Sequence, residues 1–150
     1  MQEALFTFIV AASPIVELRG AIPLALLVYK LSLLQAFSLS VAGNMVPVLL
    51  LPFLGIVSGA LSRRFSFFER FFSRLFLHTR KKHERSFEIF RDFALVLFVA
   101  VPLPFTGAWT ATLIAFVFGI PLRRAFPLIL LGVIIAAAVV SVLTLGIASI

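Results

Sequence analysis

The chain has 150 residues, 62% of them hydrophobic and only 13% charged, with a formal net charge of +7 and a mean hydropathy of +1.18. A soluble domain of this size carries about a quarter charged residues, so this much apolar surface cannot be hidden in so small a globule and the class is an integral membrane protein. The absence of cysteine excludes disulfides, thiolate metal sites and cysteine nucleophiles. The basic charge does not point to nucleic acid. Nine of the thirteen Lys and Arg residues lie between Arg63 and Arg91, a juxtamembrane pattern that anionic headgroups reward on the cytoplasmic side, and no aromatic-basic platform accompanies it.

The first apolar region, residues 4–30, is broken at its centre by Pro14, Glu17, Arg19, Gly20 and Pro23. It runs into charge rather than a small-residue cleavage site, so no secretory leader is expected. Residues 32–61 carry no charge and are long enough for a transmembrane helix, with Pro47 and Pro52 as places to kink. Residues 63–93 place Phe65, Phe68, Phe72, Leu75 and Phe76 on one helical stripe and Arg70, Arg74, Lys81 and Arg85 on another. Such a helix lies in the membrane interface and meets anionic headgroups. His78 and His83 are five apart and no carboxylate completes a ligand set, so no metal is expected.

The third apolar region, residues 94–121, is broken by Pro102, Pro104 and Gly107, and residues 124–149 form a second transmembrane helix. Each broken region is a pair of arms too short to span, with proline and glycine between them. Irregular backbone at depth requires protein or a wet cavity around it. Both regions therefore read as re-entrant hairpins, the alternative being two kinked spans. An internal match supports hairpins: Gly20-Ala21 with Gly107-Ala108, Ala36-Phe37 with Ala125-Phe126, and Gly43 with Gly132. The expected fold is an all-α membrane protein of two inverted repeats, each a hairpin followed by one transmembrane helix, joined by the amphipathic helix. Interrupted segments in corresponding positions point to a transporter with its site at the repeat interface. This topology sets eleven positive residues on one side against Lys30 on the other, which makes residues 63–93 cytoplasmic and both termini external. Four kinked spans would give nine against three.

Glu17 and Arg19 are the ionisable pair inside these regions. Charge at depth is costly and finds partners or lines a cavity. Arg19 forks well onto phosphate or carboxylate, and a partly dry Glu17 could exchange a proton. The alternative is a pair that neutralises itself and holds the turn. The second break, "VPLPFTGAWTAT", offers Thr106, Thr110 and Thr112 hydroxyls, the Trp109 indole and backbone freed by Pro102 and Pro104. A helix starting near Gly107, and another near Gly20, could aim N–H groups at an anion. Asn44 could hydrogen-bond a hairpin tip or another helix. The candidate substrate or ion site is thus Glu17, Arg19, Gly20, Asn44, Thr106, Gly107, Trp109 and Thr110. No nucleophile–base pair or metal cluster suggests an enzyme, and no cofactor is called for.

"ELRGAIP" (17–23) followed by "PLPFTGAWTAT" (102–112) resembles the small multi-drug export protein family of prokaryotic membrane proteins. Glu17 and Arg19 match its first motif; Pro102, Pro104, Thr106, Gly107 and Trp109 match its second. That family is in turn similar to the DedA, or VTT-domain, superfamily, whose members have two re-entrant hairpins. The resemblance implies the prokaryotic cytoplasmic membrane and translocation of lipids such as undecaprenyl phosphate, with proton coupling. The expected function is a transporter or lipid translocase moving an amphiphilic, anionic substrate between the two tips, in a homodimer because four segments enclose little space. The alternative is a non-transporting scaffold or assembly factor that uses the basic amphipathic helix.

Overall fold

The computed structural model describes residues 1–54, 84–102 and 106–148, and these are helical with no strand among them. Of the stripes expected over residues 63–93, the whole aromatic one and the cationic one except Arg85 lie outside the described residues, as do His78, His83 and Pro104.

Helix α1 spans Gln2–Ala12. It stops because Ser13 and Pro14 form a turn: Ser13 Oγ donates to the Val10 carbonyl at 2.7 Å and accepts from the Val16 amide at 3.3 Å. Hydroxyls that bond nearby backbone in this way offer the chain an alternative to the helix. Helix α2 follows over Glu17–Pro23 and passes directly into a π-helical turn, Leu24–Val28. The first region is therefore interrupted at residues 13–16. Pro14 sits in that break, whereas Pro23, expected as a second break, lies inside continuous helix and marks the switch from α to π. Proline's missing N–H weakens the regular i→i−4 ladder without ending it.

Helix α3 spans Leu33–Asn44 and opens with a capping box. Ser32 Oγ accepts from the Gln35 amide at 3.3 Å, and the Ser32 amide donates to Gln35 Oε1 at 3.2 Å. Two orphan amides are thereby satisfied at once. A turn at Met45 separates α3 from the short α4, Val46–Leu49, with Pro47 inside it. Helix is described onward to Leu54, and Leu33–Leu54 is a candidate membrane span of 22 residues. Helix α5 covers Glu84–Ala100 without interruption, so it crosses the border expected at residues 93 and 94. Helix α6 is Ala108–Val117, and α7, Leu122–Ala148, is a second candidate span of 27 residues.

The two candidate spans would extend about 33 and 40 Å if straight, enough for a hydrocarbon core of about 30 Å. The 11-residue α1 and the 10-residue α6 reach only about 15 Å each. Helix α1 packs against α3 and α2, and α5 packs against α7, while α2 and α3 both reach α7. Packing without a hydrophobic driving force favours small residues at close approaches. That need is met at Gly43 and Gly132. A side chain at Gly43 would strike the Phe8 carbonyl and the Ala11 Cβ of α1; one at Gly132 would strike the Val96 carbonyl and Val99 of α5. Ala36, Ala125, Ala136 and Ala137 are buried on the same two long helices, whose other faces expose Leu34, Val142 and Leu143.

Candidate functional site

The turn at residues 13–19 meets the start of α6. Glu17 takes a positive φ of 53°, a region that costs a non-glycine residue of order 1 kcal/mol. Glu17 is buried, 7% exposed, and its carboxylate lies so close to Gly107 that any side chain there would overlap both carboxylate oxygens. The backbone N–H of Trp109, in the first turn of α6, donates to that carboxylate. Glu17 thus occupies the N-terminus of α6, where unpaired amides and the helix dipole favour an anion.

Arg19 closes the contact from the other side. Its Nη2 donates to the Thr106 carbonyl at 2.5 Å and to Thr106 Oγ1 at 3.1 Å. It stands 3.8 Å from Glu17 Oε2. Thr106 Oγ1 in turn donates to the Val101 carbonyl at 2.8 Å. A third strut comes from the indole: Trp109 Nε1 donates to the Ala12 carbonyl, the last of α1, at 2.9 Å. Four links therefore join two turns almost ninety positions apart, and three of them use charged side chains or a charge-assisted acceptor. Such bonds are about twice as strong as neutral ones.

The remaining expected site residues fall differently. Gly107 is the N-cap of α6 and Thr110 lies in its first turn. Thr112 turns back onto its own helix, donating to the Ala108 carbonyl at 2.6 Å. Gly20 does not start a helix, since α2 begins at Glu17, and a methyl at Gly20 would meet the Val16 side chain. Asn44 is fully buried on α3, but its amide has no hydrogen-bond partner. The partner that sequence reasoning missed is the Ala12 carbonyl. A backbone acceptor carries no side-chain signature, and only the Ser13-Pro14 turn signal beside it hints that a helix end lies there.

This pairing of residues 17–19 with 106–109 joins the two motifs that flank most of the matched sequence. The family model for small multi-drug export proteins matches residues 17–139. The chain belongs to this family. Its match begins at Glu17, the residue that reaches across to α6, and includes every partner in the contact except Ala12. No curated protein and no solved structure matches the chain. Family membership and the two long apolar helices make it a membrane protein of a group named for export.

Proposed function

We propose that this protein is a small membrane exporter or lipid translocase whose cargo passes where residues 13–19 meet residues 106–109. The observation that carries the reading is the Glu17–Trp109 and Arg19–Thr106 contact. It gathers the only buried carboxylate among the described residues and a guanidinium at a helix N-terminus, the equipment for an anionic headgroup. In the proposed cycle Glu17 is a resident anion. An entering phosphate or carboxylate competes for Arg19 and for the α6 amides, and a proton taken up by Glu17 loosens its hold on both. Arg19 then serves cargo with the guanidinium that otherwise holds Thr106. An apolar cleft of about 340 Å³, lined by Phe90, Arg91, Leu95, Phe98, Ile114 and Phe118, supports an amphiphilic cargo with a hydrocarbon portion.

In this reading each turn is the tip of a re-entrant hairpin, and the chain is an inverted repeat. The paired glycine seats support it. Gly43 presses on residues 8 and 11, and Gly132 on residues 96 and 99, so both partners shift by the same 88 positions (96 − 8 and 99 − 11). The short α1 and α6 support arms that turn back. Residues 63–93 then face the cytoplasm and both termini face outward, with a homodimer completing the path.

Reconstitution in liposomes tests the function. Purified protein is expected to move a fluorescent anionic lipid, with flux that depends on a pH gradient and falls in Glu17→Gln. Absence of flux for both lipid and drug-like cations, with Glu17→Gln indistinguishable, would sink the proposal. Cysteines introduced at Gln2 and Lys30 of this cysteine-free chain should label from one side of the membrane; labelling from opposite sides would mean that the first region spans.

A further inference from the structure

A row of polar atoms on α3 stands outside the contacts described so far. Ser40 and Asn44 are four residues apart and so share one face of the helix. Both are fully buried. Ser40 Oγ, Asn44 Oδ1 and Asn44 Nδ2 have no hydrogen-bond partner. Four other helical hydroxyls set the contrast, although Ser141 of α7, buried too, also has no partner. Thr7, Thr112 and Thr144 donate to the carbonyl four residues back at 2.8, 2.6 and 2.7 Å, and the exposed Ser38 does the same to Leu34 at 2.7 Å. A helical hydroxyl makes that bond when nothing better is offered. Ser40 leaves it unmade, one turn from an amide that is also unpaired. Buried polar side chains are almost always hydrogen-bonded, to protein or to ordered water.

We propose that Ser40 and Asn44 hold buried water between α3 and the helices packed on it. The chemistry selects water over other small ligands. A hard cation takes about six or more oxygens, and the pair offers two side-chain oxygens. An anion would find one amide, one hydroxyl and no positive charge. Water both donates and accepts, and a hydroxyl beside a carboxamide presents the same mixture. The site lies close to the contact between the two turns. Gly43, next to Asn44, is pressed against the Phe8 carbonyl and the Ala12 amide of α1, and the Ala12 carbonyl receives the Trp109 indole. The inference stands on burial and hydrogen bonding alone and does not rest on a transport activity.

Met45 is the reporter. It adjoins Asn44, is 6% exposed, and its thioether oxidises readily. In lipid nanodiscs, a short X-ray pulse makes hydroxyl radicals from water in place, including bound water, whereas photolysis of added peroxide delivers them from bulk. The expected result is oxidation of Met45 by the X-ray pulse and protection from the bulk source, with Met1 oxidised by both. The double variant Ser40→Ala/Asn44→Leu should lower the X-ray labelling of Met45 several-fold, while Asn44→Ser, which keeps a hydrogen-bonding group, retains it. Should the double variant not fold, a several-fold loss of label in Ser40→Ala alone makes the same comparison. No Met45 label from the X-ray pulse, equal label from both sources, or a label unchanged by the apolar variants would each overturn the proposal.

Discussion

The two turns that meet across Glu17 and Trp109 contribute opposite chemistry. The first, residues 13–19, brings side chains: the Glu17 carboxylate and the Arg19 guanidinium. The second, residues 106–109, answers largely with backbone: the Thr106 carbonyl and the Trp109 amide. One turn can therefore be charged and the other uncharged without either being left unpaired. A charged residue at depth needs a partner, but that partner need not carry charge when a broken helix exposes its own polar groups. The lack of charge in "VPLPFTGAWTAT" is thus no sign of an inert segment.

The sharpest way to break this comparison is to fill the gap between the turns. Gly107→Ala drives a methyl into the Glu17 carboxylate, which must leave its amide and its cation; the expected loss is about 3 kcal/mol or more. The matched change Gly20→Ala meets only a methyl of Val16 and should cost about 1 kcal/mol. Thermal unfolding in detergent separates them, and equal losses would remove the asymmetry. Glu17→Ala comes next. It strips Arg19 of its counter-charge and the Trp109 amide of its acceptor, for about 2–3 kcal/mol, whereas Glu17→Gln keeps an acceptor and should lose about 1 kcal/mol. If Gln is as damaging as Ala, the charge rather than the hydrogen bond holds the turns.

The glycine seats extend the comparison to the two halves. Gly43→Ala meets the Phe8 backbone carbonyl first, and Gly132→Ala meets the Val99 side chain before the Val96 carbonyl. Each should cost about 1–3 kcal/mol, with Gly43→Ala the worse because backbone yields less than a side chain. The reverse order, read from unfolding midpoints, would mean that α1 gives way more easily than α5. The smallest effect is expected at the exposed pair of Arg124 and Glu88, 2.8 Å apart, where solvent screening leaves little. The hydrogen bond and charge of Arg124 hold the Glu88 carboxyl below its ordinary value. Its contribution is therefore present above the ordinary carboxylate range and lost as pH falls through the lowered value. Arg124→Ala should leave the midpoint unchanged at neutral pH within error and flatten a small decline on acidification; a large loss at neutral pH would show that the pair holds α5 to α7.

Much of the fold is legible in the residues. The apolar stretches of residues 32–61 and 124–149 mark two long apolar helices, observed as Leu33–Leu54 and Leu122–Ala148, because bilayer thickness dictates a length that composition reveals. The break at Pro14 is legible from its turn chemistry, and "SLLQ" (32–35) spells a capping box that starts α3. Pro23 shows the limit of such reading. Proline weakens a helix, but whether the chain breaks or shifts into a π-turn depends on what packs around it. The site divides in the same way. Glu17 and Arg19 stand out by charge in apolar company, while Ala12 and the peptide groups of Thr106 and Trp109 have no signature at all.

Composition and pattern alone thus determined that the chain belongs in a membrane, that it is helical, and that its two broken segments hold its unusual residues. These are local properties, set by transfer free energy and by backbone preferences that each stretch carries by itself. Only the tertiary structure decided which groups meet: Glu17 at the N-terminus of α6, Arg19 on the Thr106 carbonyl, the Trp109 indole on Ala12, and Asn44 buried without a partner. Hydrogen bonds and close contacts between distant segments depend on orientation to within fractions of an ångström, and no local pattern encodes that geometry.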